Sequence, residues 1–247
     1  MNGITVRFLG SGDAFGSGGC LQPCIYVDTG DFRFLLDCGA SSMTAMKHQG
    51  VDPVWIDAIL LSHLHGDHFG GLPFFLLEGQ LVSKRNRPLT VLGPEGTQRR
   101  VGDAMEIFFP GSTEMTLRFP LDYLQYTGEE PLGLGPMKVT AYPVVHASGA
   151  PPCAIRVECA GRVIAYSGDT EWTDTLFSVA GGADLFICEA YYFDKKMKYH
   201  LDYRTLMEHR EALKCKRLIL THMSEDLLRH LPHIEAEWAE DGKCIFL

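Results

Sequence analysis

Residues 62–68 read Ser-His-Leu-His-Gly-Asp-His and directly follow the apolar run Ile59-Leu60-Leu61. Four ligand-type side chains, His63, His65, Asp67 and His68, crowd into six positions. Neutral imidazole and carboxylate suit zinc and similar divalent ions. His63 and His65 are two apart, so an extended segment projects them to the same side. Asp67 and His68 are adjacent, so their side chains are expected to diverge. That spacing suits two neighbouring metals better than one. Gly66, Gly70 and Gly71 let the backbone turn tightly around such a centre.

The pattern continues along the chain. Phe32–Leu36 leads into Asp37, and Val139–Val145 into His146. Val163–Tyr166 leads through Ser167-Gly168 into Asp169, Leu185–Cys188 into Glu189, and Leu218–Thr221 into His222. These are β-rich runs. In open α/β sheets, sites form just beyond the carboxyl ends of strands. His146, Asp169 and His222 therefore join the 62–68 cluster as ligand candidates. Asp37 has two readings: a hydrogen bond to a ligand histidine, or burial as a structural strand-end carboxylate.

Further β-rich runs complete a set of strands predicted near 4–9, 24–28, 32–36, 58–61, 89–92, 138–145, 154–159, 162–166, 185–188, 217–221 and 243–246. Helical spacing predicts helices near 41–49, 72–79, 95–108, 172–179, 203–214 and 224–240, the last interrupted by Pro232. Thr173, Asp202 and Ser224 are the candidate caps. Stretches 110–120 and 127–136 read as surface loops, and no linker is long enough to separate a pair of domains. The expectation is one layered α/β domain spanning 1–247.

Composition narrows the function classes. With 46% hydrophobic and 21% charged residues, the chain is that of a globular protein. Its net charge of −9 argues against a protein built to coat nucleic acid. No run reaches the ~18 apolar residues of a spanning helix. The first residues lack the apolar core of a signal peptide, so a cytoplasmic location is expected. The eight cysteines are then expected to be reduced. Cys20 and Cys24 have no second pair to complete a four-cysteine zinc site and are expected to be structural.

The order His63-x-His65-x-Asp67-His68, His146, Asp169, His222 resembles the metallo-β-lactamase superfamily. The finer resemblance is to its ribonuclease Z-like phosphodiesterase branch. Supporting segments are Phe8-Leu9-Gly10-Ser11-Gly12, Leu35-Leu36-Asp37-Cys38-Gly39, Leu92-Gly93-Pro94-Glu95-Gly96-Thr97, Tyr166-Ser167-Gly168-Asp169-Thr170, Glu189-Ala190 and the run from Leu218 to Ser224. The resemblance implies a four-layer αββα sandwich with two divalent metals at one edge. It assigns His63, His65 and His146 to the first metal, and Asp67, His68 and His222 to the second, with Asp169 bridging. Zinc is favoured by the histidine-rich set, with manganese or iron as alternatives. A homodimer is also implied. True β-lactamases of the superfamily that place a cysteine at the Asp169 position differ here, so antibiotic hydrolysis is not expected.

Two metals can share a water, lower its pKa and clamp a phosphoryl oxygen, so attack by a bridging hydroxide is expected. The resemblance gives Asp67 the role of orienting that water or accepting its proton. His200 matches the extra histidine of the phosphodiesterase branch and, paired with Glu189, would be a general acid. The nuclease pattern carries a small hydroxyl residue after this histidine, where this chain has Leu201-Asp202. The interval from His146 to Asp169 leaves no room for the tRNA-gripping arm found in many nucleases of the branch. A small, cyclic or nucleotide phosphodiester is therefore the expected substrate, and nucleic acid is disfavoured. tRNA 3′-processing is the alternative, as is hydrolysis of thioesters, lactones or sulfate esters at the same site. A non-catalytic metal-binding module is least expected, because every ligand position is filled.

Lys195, Lys196 and Lys198, Lys84-Arg85-Asn86-Arg87, and Arg99-Arg100 each have two readings, phosphate attraction or a solvated charged face. His48, His209, His230 and His233 are assigned no role. There is no complete dinucleotide fingerprint, Walker A sequence or nucleophile elbow.

Overall fold

The computed structural model describes residues 3–247. The first half of the chain builds β1 (Thr5–Gly10), β2 (Cys24–Asp28), β3 (Arg33–Leu36), β4 (Ala58–Leu60), β5 (Leu89–Gly93) and β6 (Leu121–Gln125). The second half builds β7 (Leu132–Leu134), β8 (Met137–Pro143), β9 (Cys153–Cys159), β10 (Arg162–Tyr166), β11 (Leu185–Glu189), β12 (Leu218–Thr221) and β13 (Glu237–Trp238). The last strand, β14 (Cys244–Phe246), returns to pair with β1. Two seven-stranded sheets result, in the orders β14-β1-β2-β3-β4-β5-β6 and β13-β12-β11-β10-β9-β8-β7. Each sheet is antiparallel at one end and parallel at the other, the change falling at β3 in the first and β10 in the second.

The strands read as unbroken apolar runs because both faces are covered. Along β3, Phe34 and Leu36 enter the core between the sheets, while Leu35 packs outward. Along β11, Leu185 and Ile187 face inward, and Phe186 and Cys188 outward. The outer face of the first sheet carries α1 (Ser42–Gln49), α3 (Leu72–Leu81) and α4 (Thr97–Phe108), with the short α2 (Gly66–Phe69) before α3. The outer face of the second sheet carries α5 (Thr175–Ala180), α6 (Tyr203–Glu208) and α7 (Glu225–Arg229). The four-layer αββα sandwich is therefore present. No helix among the described residues is long and apolar enough to cross a membrane.

Several boundaries differ from expectation. The stretch 127–136 contains β7, and β6 and β13 were not anticipated. The expected helix 203–214 ends at Glu208, and 224–240 is only α7 followed by a 3-10 turn at Leu231–His233 and then β13. Pro232 supplies no N–H to continue the helical ladder. Asp202 caps α6, its carboxylate accepting the Thr205 N–H at 3.0 Å. α5 begins one residue later than a Thr173 cap would place it, after Asp174. Ser224 occupies the position before α7, but its hydroxyl donates to the Tyr191 carbonyl instead.

The basic run 84–87 fits neither of its two readings at Arg85. That side chain is 1% exposed. Its guanidinium donates to the carbonyls of Pro53, Val54, Ile56, Arg87 and Pro88. It joins the turn before β4 to the segment entering β5, with Phe119 beneath it. Burial lowers its pKa to about 10, which leaves it charged at neutral pH. Replacing Arg85 with Ala strands several buried carbonyls, each costing about 1–3 kcal/mol. Arg85→Ala is expected to lower the Tm by roughly 6–12 °C. Arg85→Lys should recover little of this, since an ammonium cannot span the fork. Thermal unfolding of the protein tests this, and a shift below about 2 °C would show that water replaces the guanidinium.

Candidate metal centre and active site

The carboxyl ends of β3, β4, β8, β10, β11 and β12 meet at one edge of the sandwich. There Asp37, His63, His146, Asp169, Glu189 and His222 come together with His65, Asp67 and His68. His63, His65 and His146 form one group whose ligand atoms all lie within 4.8 Å of one another. Asp67, His68, Asp169 and His222 form a second, equally tight group. Asp169 faces both. Its Oδ2 lies 3.8 Å from His63 Nε2, 3.9 Å from His146 Nε2 and 3.4 Å from His222 Nε2. Its Oδ1 lies 3.3 Å from His68 Nε2.

The expected divergence of Asp67 and His68 does not occur. The backbone after His65 turns into α2 rather than staying extended. His68 Nε2 and Asp67 Oδ2 are consequently 3.2 Å apart in the same group.

Most of the rings are anchored through one nitrogen and present the other. His68 Nδ1 donates to Asp37 at 2.7 Å, and His63 Nδ1 to Ser62 Oγ at 3.0 Å. His146 Nδ1 donates to the Tyr199 carbonyl at 2.8 Å, and His65 Nε2 to the Ala147 carbonyl at 3.0 Å. Such outer hydrogen bonds fix tautomer and orientation. They leave His65 Nδ1 and His146 Nε2 facing each other at 3.0 Å with no proton between them. The presented atoms His63 Nε2, His68 Nε2 and Asp169 Oδ1 are buried without a hydrogen-bond partner. Opposed lone pairs and orphaned buried atoms are costly unless a cation lies among them. This donor set fits divalent metal ions.

The electrostatics divide the histidines. Asp37, Asp67, Asp169 and Glu189 are all buried here. Burial and the facing His68 push His63 well below the ordinary histidine range, which favours the neutral, ligating form. Burial acts against His68 too, but Asp169, Asp67 and Asp37 outweigh it and raise its pKa. Against the opposing effect of burial, Asp169 is held well below the usual carboxylate range by His222 and His68.

Asp37 resolves in favour of the hydrogen-bonding reading. Its carboxylate accepts from His68 Nδ1, Ser62 Oγ at 2.8 Å, Ser62 N–H at 2.7 Å and Tyr166 O–H at 2.8 Å. Asp37 and His222 both hold left-handed backbone, at φ 59° and 58°. Such strain persists only where surrounding contacts enforce it. The backbone also closes tightly around this edge. A Cβ on Gly168 would sit 2.7 Å from the Ser62 Cβ, and one on Gly39 would collide with the Asp67 carbonyl oxygen.

Glu189 and His200 stand beside the two groups. His200 Nδ1 donates to Glu189 Oε2 at 3.1 Å, and Thr170 N–H donates to Glu189 Oε1. The His200 ring lies 5.0 Å from His146 and is stacked 5.6 Å from His222. Burial opposes its charge, but Glu189 raises its pKa above the ordinary value. The departure at Leu201-Asp202 has a structural use: Leu201 is buried and Asp202 caps α6.

Sequence reasoning missed Ser62, Tyr166 and Tyr191 as members of this edge. Tyr191 stacks on His200 at 4.7 Å. Ser62 and Tyr166 flank ligand-type residues, but nothing in their spacing says that both reach Asp37. The lysine readings also sharpen. Lys196 is tied to Asp202 and Thr205, and Lys195 lies over the Tyr192 ring. Asp37→Asn tests the anchoring network, because Asn tolerates left-handed backbone and isolates the lost charge. Metal affinity, read by competition with a chelator, is expected to fall about 10–100-fold. Unchanged affinity with unchanged folding would remove Asp37 from the metal centre.

Known proteins match this chain over most of its length. The Lactamase_B_2 family, described as a beta-lactamase superfamily domain, matches residues 32–223. A ribonuclease Z from Mycobacterium sp. (strain KMS) is 26% identical over 262 residues, covering 98% of this chain and 91% of the relative. The short form of human tRNase Z superposes with a TM-score of 0.78 at 26% identity, covering 98% of each chain. A diphosphatase of the PhnP family shares the fold, with a TM-score of 0.77 at 21% identity over 98% of this chain and 97% of its own. With this fold, this edge and a family match running from β3 to beyond His222, the chain is a hydrolytic enzyme of the beta-lactamase superfamily domain family.

Proposed function

We propose that this protein is a dinuclear, zinc-dependent phosphodiesterase acting on a small, cyclic or nucleotide phosphodiester. The observation that carries the reading is the Glu189–His200 pair beside both ligand groups. An alkoxide leaving from phosphorus needs a proton, whereas a thiolate does not. The relatives named ribonuclease and diphosphatase also point toward phosphorus–oxygen bonds. The loop 144–152 and the β9–β10 pair fill the interval between His146 and Asp169, which supports a compact substrate over tRNA.

In this reading His63, His65 and His146 would hold one ion, Asp67, His68 and His222 the other, with Asp169 serving both groups. Divalent ions bound there would supply Lewis-acid charge to the phosphoryl group and to water. The chain's own residues do the rest. Asp67, set 3.4 Å from His222 Nε2, orients the attacking water and receives its proton. Glu189 keeps His200 cationic and turned, so that Nε2–H is free to protonate the leaving oxygen. Tyr191 covers one face of that imidazole.

Zinc-loaded protein is expected to hydrolyse bis(4-nitrophenyl) phosphate, with loss of turnover on chelation and recovery on adding the metal back. Asp67→Ala should cost at least about 10²-fold. His200→Ala should cost about 10²–10⁴-fold with an alkyl leaving group, and much less with 4-nitrophenolate, which departs unprotonated. Equal losses on both substrates would take the acid role from His200. No turnover with two ions bound would shift the assignment to thioesters, lactones or sulfate esters.

A further inference from the structure

Phe15 is the most exposed large hydrophobic residue among those described, at 86%. A lone exposed phenyl is ordinary. Its placement and its support are not. The loop carrying it leaves the carboxyl end of β1 and is tied to three walls of the active site. The Ser11 carbonyl accepts the His222 N–H at 3.0 Å and the Thr221 hydroxyl at 3.1 Å. The Asp13 carboxylate faces Tyr191, whose phenol is pushed up to about 12 by burial and then by Asp13. Tyr191 in turn stacks on His200. The Ala14 carbonyl accepts from Gln22 Nε2, and Gln22 borders Gly39, against which the Asp67 carbonyl packs.

The loop is also rigid. The buried Asp13 Oδ1 accepts the N–H of Phe15 itself at 3.1 Å and that of Ser17 at 2.9 Å, while Oδ2 accepts Ser17 Oγ at 2.7 Å. Glu225 accepts the Gly18 N–H at 2.8 Å, joining the far end of the loop to α7. A buried carboxylate thus holds the backbone of an apolar residue that stays in water, on a loop bonded to the walls of a polar site. Nothing in the core uses that phenyl.

We propose that Phe15 is a specificity-determining platform on which the planar ring of a nucleotide-type phosphodiester stacks, so that this site selects ring-bearing substrates. The inference rests on the phosphodiester reading for its chemistry but can be tested by binding alone. Aromatic faces stack on bases with little sequence preference and with useful affinity.

The test compares calorimetric binding of adenosine 5′-monophosphate and of inorganic phosphate to zinc-loaded wild type, Phe15→Ala and Phe15→Tyr. Wild type and Phe15→Tyr should prefer the nucleotide, and Phe15→Ala should lose about tenfold in nucleotide affinity relative to phosphate. A parallel fall for both ligands would show a loop distortion and overturn the proposal, as would unchanged nucleotide binding. If nucleotide affinity depends on Phe15 while wild type fails to cleave diesters, the platform stands and the phosphodiester reading falls. If diesters are cleaved without any preference for the nucleotide, the reverse holds.

Discussion

The carboxylate of Asp37 is the contact on which this edge of the molecule depends. It receives His68 directly, His63 through Ser62, and a tyrosine hydroxyl from the opposite sheet. It therefore ties together β3, the loop after β4, and β10. Between the sheets the core is apolar, and Asp37 adds a buried polar tie between them at this edge. The carboxylate is buried and can persist there only because each of its oxygens is satisfied. Its left-handed backbone is a further cost that the same hydrogen bonds offset.

The pairing rule repeats in both halves of the chain. Each sheet changes from antiparallel to parallel near its middle, and the parallel strands carry most of the site residues at their ends. That is why regularly spaced polar residues after apolar runs were such a strong signal. The ligand-type residues themselves were legible, since a carboxylate or imidazole at the end of a fully buried strand has few other uses. The layered α/β class was legible for a similar reason. Runs such as Phe34-Leu35-Leu36 and Leu185-Phe186-Ile187 are apolar on both faces and must be covered twice.

What escaped the sequence is equally specific. The directions of Asp67 and His68 depended on whether residues 66–69 were extended or helical, and a single turn of helix has too few residues to show a period. Exposed positions interrupt the apolar pattern of the edge strands β6 and β7, and the edge strand β13 is only two residues long. Arg85 looked like its charged neighbours, because nothing in a run of three cations and an asparagine says which of them lies over open carbonyls. The hydroxyls of Ser62 and Tyr166 were invisible because their partner lies far away in the chain.

The meeting of β1 with β14, and of Ser11 with His222, has a consequence for how the molecule comes into being. The ligand candidates are spread from residue 63 to residue 222, and the first sheet closes only when β14 arrives beside β1. A chain emerging from the ribosome would display its 63–68 cluster long before Asp169 and His222 existed. The histidines would have neither the Asp169 carboxylate beside them nor their opposite wall. Contacts of such long sequence separation form late and slowly. The complete constellation can thus form only after His222 and β14 have been made, so the order of synthesis sets when this edge can close.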